Sequence, residues 1–360
     1  MPCMSSQLSV LIVDGEADRS MAVIHCLAQQ CGVEIHVMAN ARSCLARLSH
    51  RCRSFHVWSG QEADRVDALL TVAQRVGAKV ALPILEPAIA AFCARNHTRL
   101  STVVSLPNLP NPLEIANAGD KGRLAGLMRG SGIPHPHTVD ADSMDVNQVP
   151  YPLLLKPTSS SGGHGIECIR NANELKAALD RLGNRRSGYI VQKFVPGRDL
   201  GCNVLCSDGQ ILASTIQRSN HRERRSFAPS SSIEFIDHPA ALDIASRLVA
   251  ALGWSGVANI DMREDDVGNV YVLEVNPRYW STVLGSLYAG VNFPYLQCRS
   301  AVGLGFDPPR PRSANFHCAH VSGRKSTMER SAPAGSVWRY TVVDPMPEIS
   351  RQLRRMRQSV

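Results

Sequence analysis

Short apolar runs alternate with amphipathic stretches along the first hundred residues. Residues 8–14, LSVLIVD, form an unbroken apolar run, the mark of a strand buried on both faces. Residues 19–30 have helical patterning and stop at Gly32, and VEIHVMA follows as a second strand. ARSCLARLSH is a helix candidate ahead of SFHVWSG, residues 62–76 are again helical, and AKVALPIL is another strand. This alternation predicts a doubly wound α/β unit. The first strand ends at Asp14-Gly15, where a dinucleotide fingerprint would begin, but no G-x-G-x-x-G is present. The unit therefore reads as a scaffold and one wall of a substrate cleft.

The pattern changes after SLPNLPNPLEI (105–115), a Pro/Asn-rich boundary. Asp120 and Lys121 open a short helix that ends at Gly130 or Gly132, and Ile133-Pro134 starts an extended segment. In YPLLLKPTSSSGGHGIECI (151–169) a strand ends at Lys156, a loop of small residues follows, and IECI is the return strand. Such a loop exposes backbone N–H groups without side-chain obstruction and can wrap phosphate oxygens. Lys156 adds a point charge to the same phosphates. It is not the pattern in which a lysine follows the glycines and opens a helix. NANELKAALDRL is an amphipathic helix with Asn171 or Asn173 as its N-cap.

Next come a strand, a Pro-Gly turn and a hairpin at Asp208-Gly209. The strand end Gln192-Lys193-Phe194-Val195 offers a backbone edge to an adenine while Phe194 packs, and Asp199 is placed to accept from a ribose hydroxyl. Residues 217–228, QRSNHRERRSFA, read as a basic loop, and 239–252 as a helix capped by Gly253.

Two apolar runs, VANIDM and YVLEVNPR, flank Gly268-Asn269, a hairpin signal. Glu274 and Asn276 sit two apart, hence on one strand face, and antiparallel pairing brings Asp261 to them. Two carboxylates and an amide are oxygen donors suited to Mg²⁺ holding nucleotide phosphates. Pro277 stops the strand and leaves Arg278 at its exit, aimed at an anionic substrate or transition state. The stretch from Tyr279 to about residue 303 is mostly helical; beyond about 306, strands are expected near 315–321 and 336–343.

At 360 residues the chain is long enough for two or three domains. No apolar run approaches the roughly 20 residues of a membrane helix, and the N-terminus lacks a basic n-region, so a cytoplasmic protein without a membrane partner is expected. The 11 cysteines are scattered without metal spacing, which suggests reduced thiols. The net charge of +8 raises nucleic acid as a partner. The arginines are not interleaved with aromatics, which make up only 5% of residues, so none is expected and an anionic small molecule explains the charge instead.

A lysine at a helix start, a lysine closing a strand, a Gly-rich loop, Q-K-F-V with P-G-R-D, and D…E-x-N-P-R, in that order, resemble the ATP-grasp superfamily over about residues 119–300. The resemblance implies a mixed α/β and α+β chain. Residues 1–115 would be a doubly wound pre-ATP-grasp domain and 116–305 a two-subdomain ATP-grasp fold with a small lid at about 135–195. Residues 306–360 would be a C-terminal extension. It implies that Lys121 and Lys156 hold ATP phosphates, and that Ser161, Gly162, Gly163, His164 and Gly165 form a mobile flap. Gln192, Lys193 and Val195 would contact adenine, with Phe194 facing the core, and Asp199 would bind ribose. Asp261, Glu274 and Asn276 would hold metal, two Mg²⁺ ions or Mn²⁺, and Arg278 would stabilise the transferring phosphoryl group.

The chain departs from the family pattern at Gln192, where glutamate is usual, at Asp261, often glutamate, and at Tyr279-Trp280-Ser281-Thr282. The activity implied is an ADP-forming carboxylate–amine ligase acting on a small-molecule acid and amine, with a homodimer as the expected assembly. The alternatives are a bicarbonate-activating or carbamoyl-phosphate-type enzyme and a non-catalytic ATP-binding protein.

Overall fold

The unbroken apolar run at the N-terminus becomes a strand covered on both faces. The structure, a computed structural model, describes residues 8–61, 64–84, 87–144, 150–160, 162–220, 230–318 and 335–358. Strands β1 (Leu8–Ile12), β2 (Val33–Ala39), β3 (Ser54–Val57) and β4 (Val80–Leu82) form a parallel sheet in the order β3-β2-β1-β4. Alternate β1 residues serve different layers. Val10 and Ile12 pack with α1 (Ser20–Leu27), whereas Leu11 and Val13 pack with α2 (Arg65–Val76) and α3 (Pro87–Arg95). α4 (His97–Leu100) completes the second layer through Leu100. The helix expected in ARSCLARLSH is only a 3-10 turn at Leu45–Leu48, with Ala46 its one buried residue. A longer helix would have no apolar face to bury.

The Pro/Asn-rich boundary ends in a capping box. Asn111 accepts from the N–H of Leu113 and Glu114, and α5 (Pro112–Gly119) follows. α6 (Lys121–Gly130) starts immediately after it, with Asp120 as N-cap. A small antiparallel sheet comes next. β5 (Thr138–Asp140), β6 (Leu153–Pro157), β7 (Glu167–Ile169) and β8 (Tyr189–Lys193) lie in the order β5-β8-β6-β7. α7 (Ala172–Leu182), capped by Asn171, closes a core of its own over this sheet with Leu175, Leu179 and Leu182.

The third sheet has six antiparallel strands. They are β9 (Arg198–Ser207), β10 (Gln210–Ser219), β11 (Ser232–Ile236), β12 (Gly256–Glu264), β13 (Val270–Asn276) and β14 (Ala314–His317), in the order β13-β12-β9-β10-β11-β14. α8 (Pro239–Leu252) ends at Gly253, whose φ of 64° suits glycine at a helix C-cap. α9 (Val283–Tyr288) and α10 (Phe293–Ala301) lie between β13 and β14, and α11 (Trp338–Thr341) and α12 (Pro345–Gln358) complete the chain. One apolar core joins Val10, Ile12 and Ile24 of the first layer to Tyr279, Phe293 and Phe316 beside the large sheet, and to Tyr340 of α11. The strand expected at 336–343 is therefore a helical turn: Val337 and Tyr340 are both buried, and their spacing of three faces them into that core only in a helix. Among the described residues, no helix is long and apolar enough to cross a membrane.

Candidate active site

β12 and β13 pair so that Asp261 lies opposite Glu274 and Asn259 opposite Asn276. Asp265 closes the hairpin tip by accepting from the N–H groups of Val267 (3.1 Å) and Asn269 (2.8 Å). The register slips between Asp261 and Met262, which leaves Leu273 as an extra residue on β13. Beyond this bulge Glu274 and Asn276 share the face that Asp261 joins. Asn276 Nδ2 donates to Asp261 Oδ2 (3.1 Å), Glu274 Oε1 (3.3 Å) and Asn259 Oδ1 (3.3 Å), and its Oδ1 accepts from Arg278 Nη2 (3.0 Å).

Two carboxylates this close cannot both be charged cheaply. Burial and the Glu274 carboxylate push the Asp261 pKa well above the ordinary range. Burial also raises Glu274, but the Lys121 ammonium and hydrogen bonds from Asp261, Lys121 and Asn276 outweigh it, so Glu274 titrates below the usual value. A hard cation between the two carboxylates would relieve this repulsion. This donor set fits Mg²⁺. Asn276 would present its carbonyl oxygen to a metal only after a half-turn of its amide. Among the described residues no cluster of three or more His, Cys, Asp or Glu forms another metal site.

The two lysines reach the same place from different elements. Lys121 is the first residue of α6, where a cation opposes the helix dipole. It is 6% exposed, its Nζ lies 3.2 Å from Glu274 Oε2, and it donates to the Ser160 carbonyl at 2.7 Å. Lys156, on β6, is also 6% exposed and donates to Gln192 Oε1 at 2.7 Å. Gln192 Nε2 donates in turn to Thr138 Oγ1 at 3.0 Å. Burial lowers the Lys156 pKa to about 8, against an opposing pull from Glu274. The Gln192 side chain is therefore engaged in holding Lys156.

Past β8, Lys193 N–H donates to the His137 carbonyl (2.9 Å) and Phe194 N–H to the Pro152 carbonyl (3.1 Å). Arg263 Nε donates to the Val195 carbonyl (2.8 Å), its Nη1 pairs with Asp199, and its guanidinium lies 5.6 Å from the Phe194 ring centroid. Phe194 was expected to face the core. Instead it is half-buried, belongs to none of the core clusters and lines the cavity beneath Arg263, because the strand ends before it and its side chain no longer follows the pleat. In the loop after β6, Gly162, Gly163 and Gly165 have φ of 67°, 75° and 75°, a region side chains resist. Gly162, Gly163 and His164 line the cavity, whereas Gly165 packs near Pro157. Ser161 lies outside the described residues.

The remaining site residues converge. A cavity of about 420 Å³ is bounded by Lys121, Lys156, Gln192, Lys193, Phe194, Val195 and Asp199 on one side and by Asp261, Glu274, Asn276 and Arg278 on the other. Its lining also includes Gln217, Trp280, Thr282 and Arg19, the residue before α1. Gln217 Oε1 accepts from Thr282 Oγ1 (2.7 Å) and Asn203 Nδ2 (3.3 Å). The basic loop expected at 217–228 begins later: residues 217–219 are the end of β10, paired with β11, and residues 221–228 lie outside the described residues. Sequence reasoning missed Arg19, Arg263 and Thr138. No local motif marks them, although Arg263 sits two residues from Asp261 and so shares its strand face.

Residues 118–282 match the family model of the ATP-grasp domain. A carbamoyl phosphate synthase arginine-specific large chain from Geobacillus stearothermophilus is 27% identical over 176 residues, 46% of this chain and 17% of its own length. A D-alanine–D-alanine ligase from a Synechococcus strain is 27% identical over 185 residues, 46% of this chain and 56% of the relative. The chain thus spans about a fifth of the synthases and about half of the ligase. An L-amino acid ligase from Bacillus licheniformis shares the fold with a TM-score of 0.64 at 18% identity, over 87% of this chain and 79% of that one. An N5-carboxyaminoimidazole synthetase from Staphylococcus aureus, complexed with ADP, gives 0.65 at 15% identity, over 87% and 82%.

Proposed function

We propose that the chain is an ATP-dependent, ADP-forming ligase that activates a small carboxylate as an acyl phosphate and joins it to an amine. The observation that carries this reading is the convergence of two buried lysines, a carboxylate pair and Arg278 on one cavity. In this reading residues 1–115 are the preceding domain, 116–305 the ATP-grasp fold with its lid at about 135–195, and 306–360 an extension that adds β14 to the large sheet.

Lys121 and Lys156 grip the nucleotide phosphates, and the glycine turn at 162–165 covers them and keeps water from the acyl phosphate. The strand edge at 192–195 takes the adenine and Asp199 the ribose. Asp261, Glu274 and Asn276 would hold Mg²⁺, two ions in the full site, which would supply neutralisation of charge on the phosphoryl group. A carboxylate oxygen attacks the γ-phosphorus while the bond to ADP breaks. The amine nitrogen then attacks the carbonyl carbon, loses its proton and expels phosphate. Arg278 stabilises the equatorial oxygens at the first step and the oxyanion at the second. Tyr279-Trp280-Ser281-Thr282 after Arg278 depart from the pattern expected of the bicarbonate-activating enzymes, which favours an organic acid over bicarbonate. The protein is read as a cytoplasmic homodimer.

The test is turnover of ATP with Mg²⁺, pools of amino and other carboxylic acids, and hydroxylamine as the amine. ADP together with a hydroxamate that depends on one pool is the expected result; AMP and pyrophosphate would overturn the mechanism. Glu274→Gln should reduce that turnover by about 10²-fold or more with an unchanged melting curve, and normal activity in it would remove the metal-site reading.

A further inference from the structure

Helix α12 carries its apolar side chains on the side facing away from the protein. Its inner face is polar. Pro347 is buried, Glu348 and Arg351 are partly covered and pair at 2.7 Å, and Arg354 Nη2 donates to the Ser43 carbonyl at 2.6 Å. Asp344, just before the helix, is buried and accepts from Ser49 Oγ and from the His50 N–H (3.3 Å). These polar contacts fix the helix beside the 3-10 turn at Leu45–Leu48. Met346, Ile349, Leu353 and Met356 are spaced three, four and three apart, one helix face, and are 48–58% exposed. Val342 and Val343 extend the exposed apolar surface at its start.

We propose that α12 docks the protein on an anionic lipid bilayer, lying in the interface with Met346, Ile349, Leu353 and Met356 among the acyl chains and its exposed Arg354, Arg355 and Arg357 reaching the headgroup phosphates. After Glu348 the helix contains Arg351, Arg354, Arg355 and Arg357 and no acidic residue. Arg357 flanks the aliphatic stripe and the exposed Arg354 and Arg355 lie further round the helix, a basic surround that suits a surface of continuous negative charge. A second copy fits poorly, because pairing stripe to stripe would stack arginines on arginines. A protein partner fits less well, since the stripe has no aromatic side chain, the type that interface cores favour. At roughly 1.5 Å per residue the helix is about 21 Å long, so it lies on a bilayer rather than spanning the ~30 Å hydrocarbon. That no spanning helix occurs among the described residues therefore does not bear on this mode of contact.

The test is co-sedimentation of the full chain with vesicles of phosphatidylcholine alone, and with about a quarter phosphatidylglycerol added. The expected result is binding to the anionic vesicles only, weakened by salt. Arg355→Ser with Arg357→Ser should lower affinity about fivefold per arginine, and Ile349→Ser with Leu353→Ser about tenfold or more. Circular dichroism melts check that each variant is folded. No binding to either vesicle, equal binding to both, or binding unchanged in both variants would overturn the proposal. So would a dimer that the Ile349/Leu353 variant dissociates, or retention on polyglutamate without vesicle binding, which would identify a second copy or an acidic protein as the occupant.

Discussion

Asn276 faces two ways, amide NH₂ to the carboxylates and carbonyl to Arg278, and so links the metal-binding pair to the residue proposed to handle the phosphoryl group. Gln192 plays the comparable part for Lys156. Its neutral oxygen, where the family usually has a carboxylate, leaves a buried ammonium whose pKa falls to about 8. Phosphate binds the protonated lysine, so nucleotide affinity should decline as pH rises through about 8, approaching about tenfold per pH unit above it. Gln192→Glu places a charge beside Nζ, raises the lysine pKa and should move the decline to higher pH. Calorimetric titration of Mg·ADP across that range checks both, and a flat profile in the unsubstituted protein contradicts it. Arg19, the residue before α1, also lines the cavity. Arg19→Met should raise the KM of the acid substrate about tenfold or more, as expected for losing one charged hydrogen bond, while the KM for ATP stays within assay error. An equal rise in both would place Arg19 outside the acid subsite.

The β12–β13 hairpin was legible before any coordinates, because alternation and a Gly-Asn turn are local signals. Asp261, Glu274 and Asn276 do meet. The bulge at Leu273 was not legible, since a one-residue slip leaves no mark in composition. The same holds for Phe194, just past the end of β8. The stretch 336–343 misled for another reason: Val, Trp and Tyr favour strands, but the burial of Val337 and Tyr340 decided for a helical turn. Arg19 and Arg263 are single arginines with no motif, and only tertiary structure assigns them. Between β8 and β9, Gly197 has φ of 134°, and a Cβ there would lie 2.0 Å from the Glu264 carbonyl oxygen. Gly197→Ala must part the start of β9 from the end of β12, a loss on the order of 2 kcal/mol or more. A denaturant melt measures it, and a loss within ±0.5 kcal/mol, the range of surface substitutions, would show that the turn can rearrange.

Across the whole molecule, one apolar core runs from the parallel sheet through Tyr279 and Phe293 to Tyr340 near the end of the chain. These regions should unfold together. Tyr340→Ala is expected to cost about 3 kcal/mol and to shift the calorimetric transition of that whole body downward; a separate early transition confined to the tail would contradict a shared core. The small sheet β5–β8 is different, because with α7 it has a core of its own. Lys156 and Gln192 ride on that sheet, while Asp261, Glu274 and Arg278 belong to the large one. The charged groups are thus mounted on two jaws, each with an apolar core against its sheet. In the proposed reading, turning one jaw against the other would change the gap between Lys156 and the carboxylates without disordering either set, so the grip on a polyphosphate would tighten and release as a calliper does, with its calibration kept in the jaws.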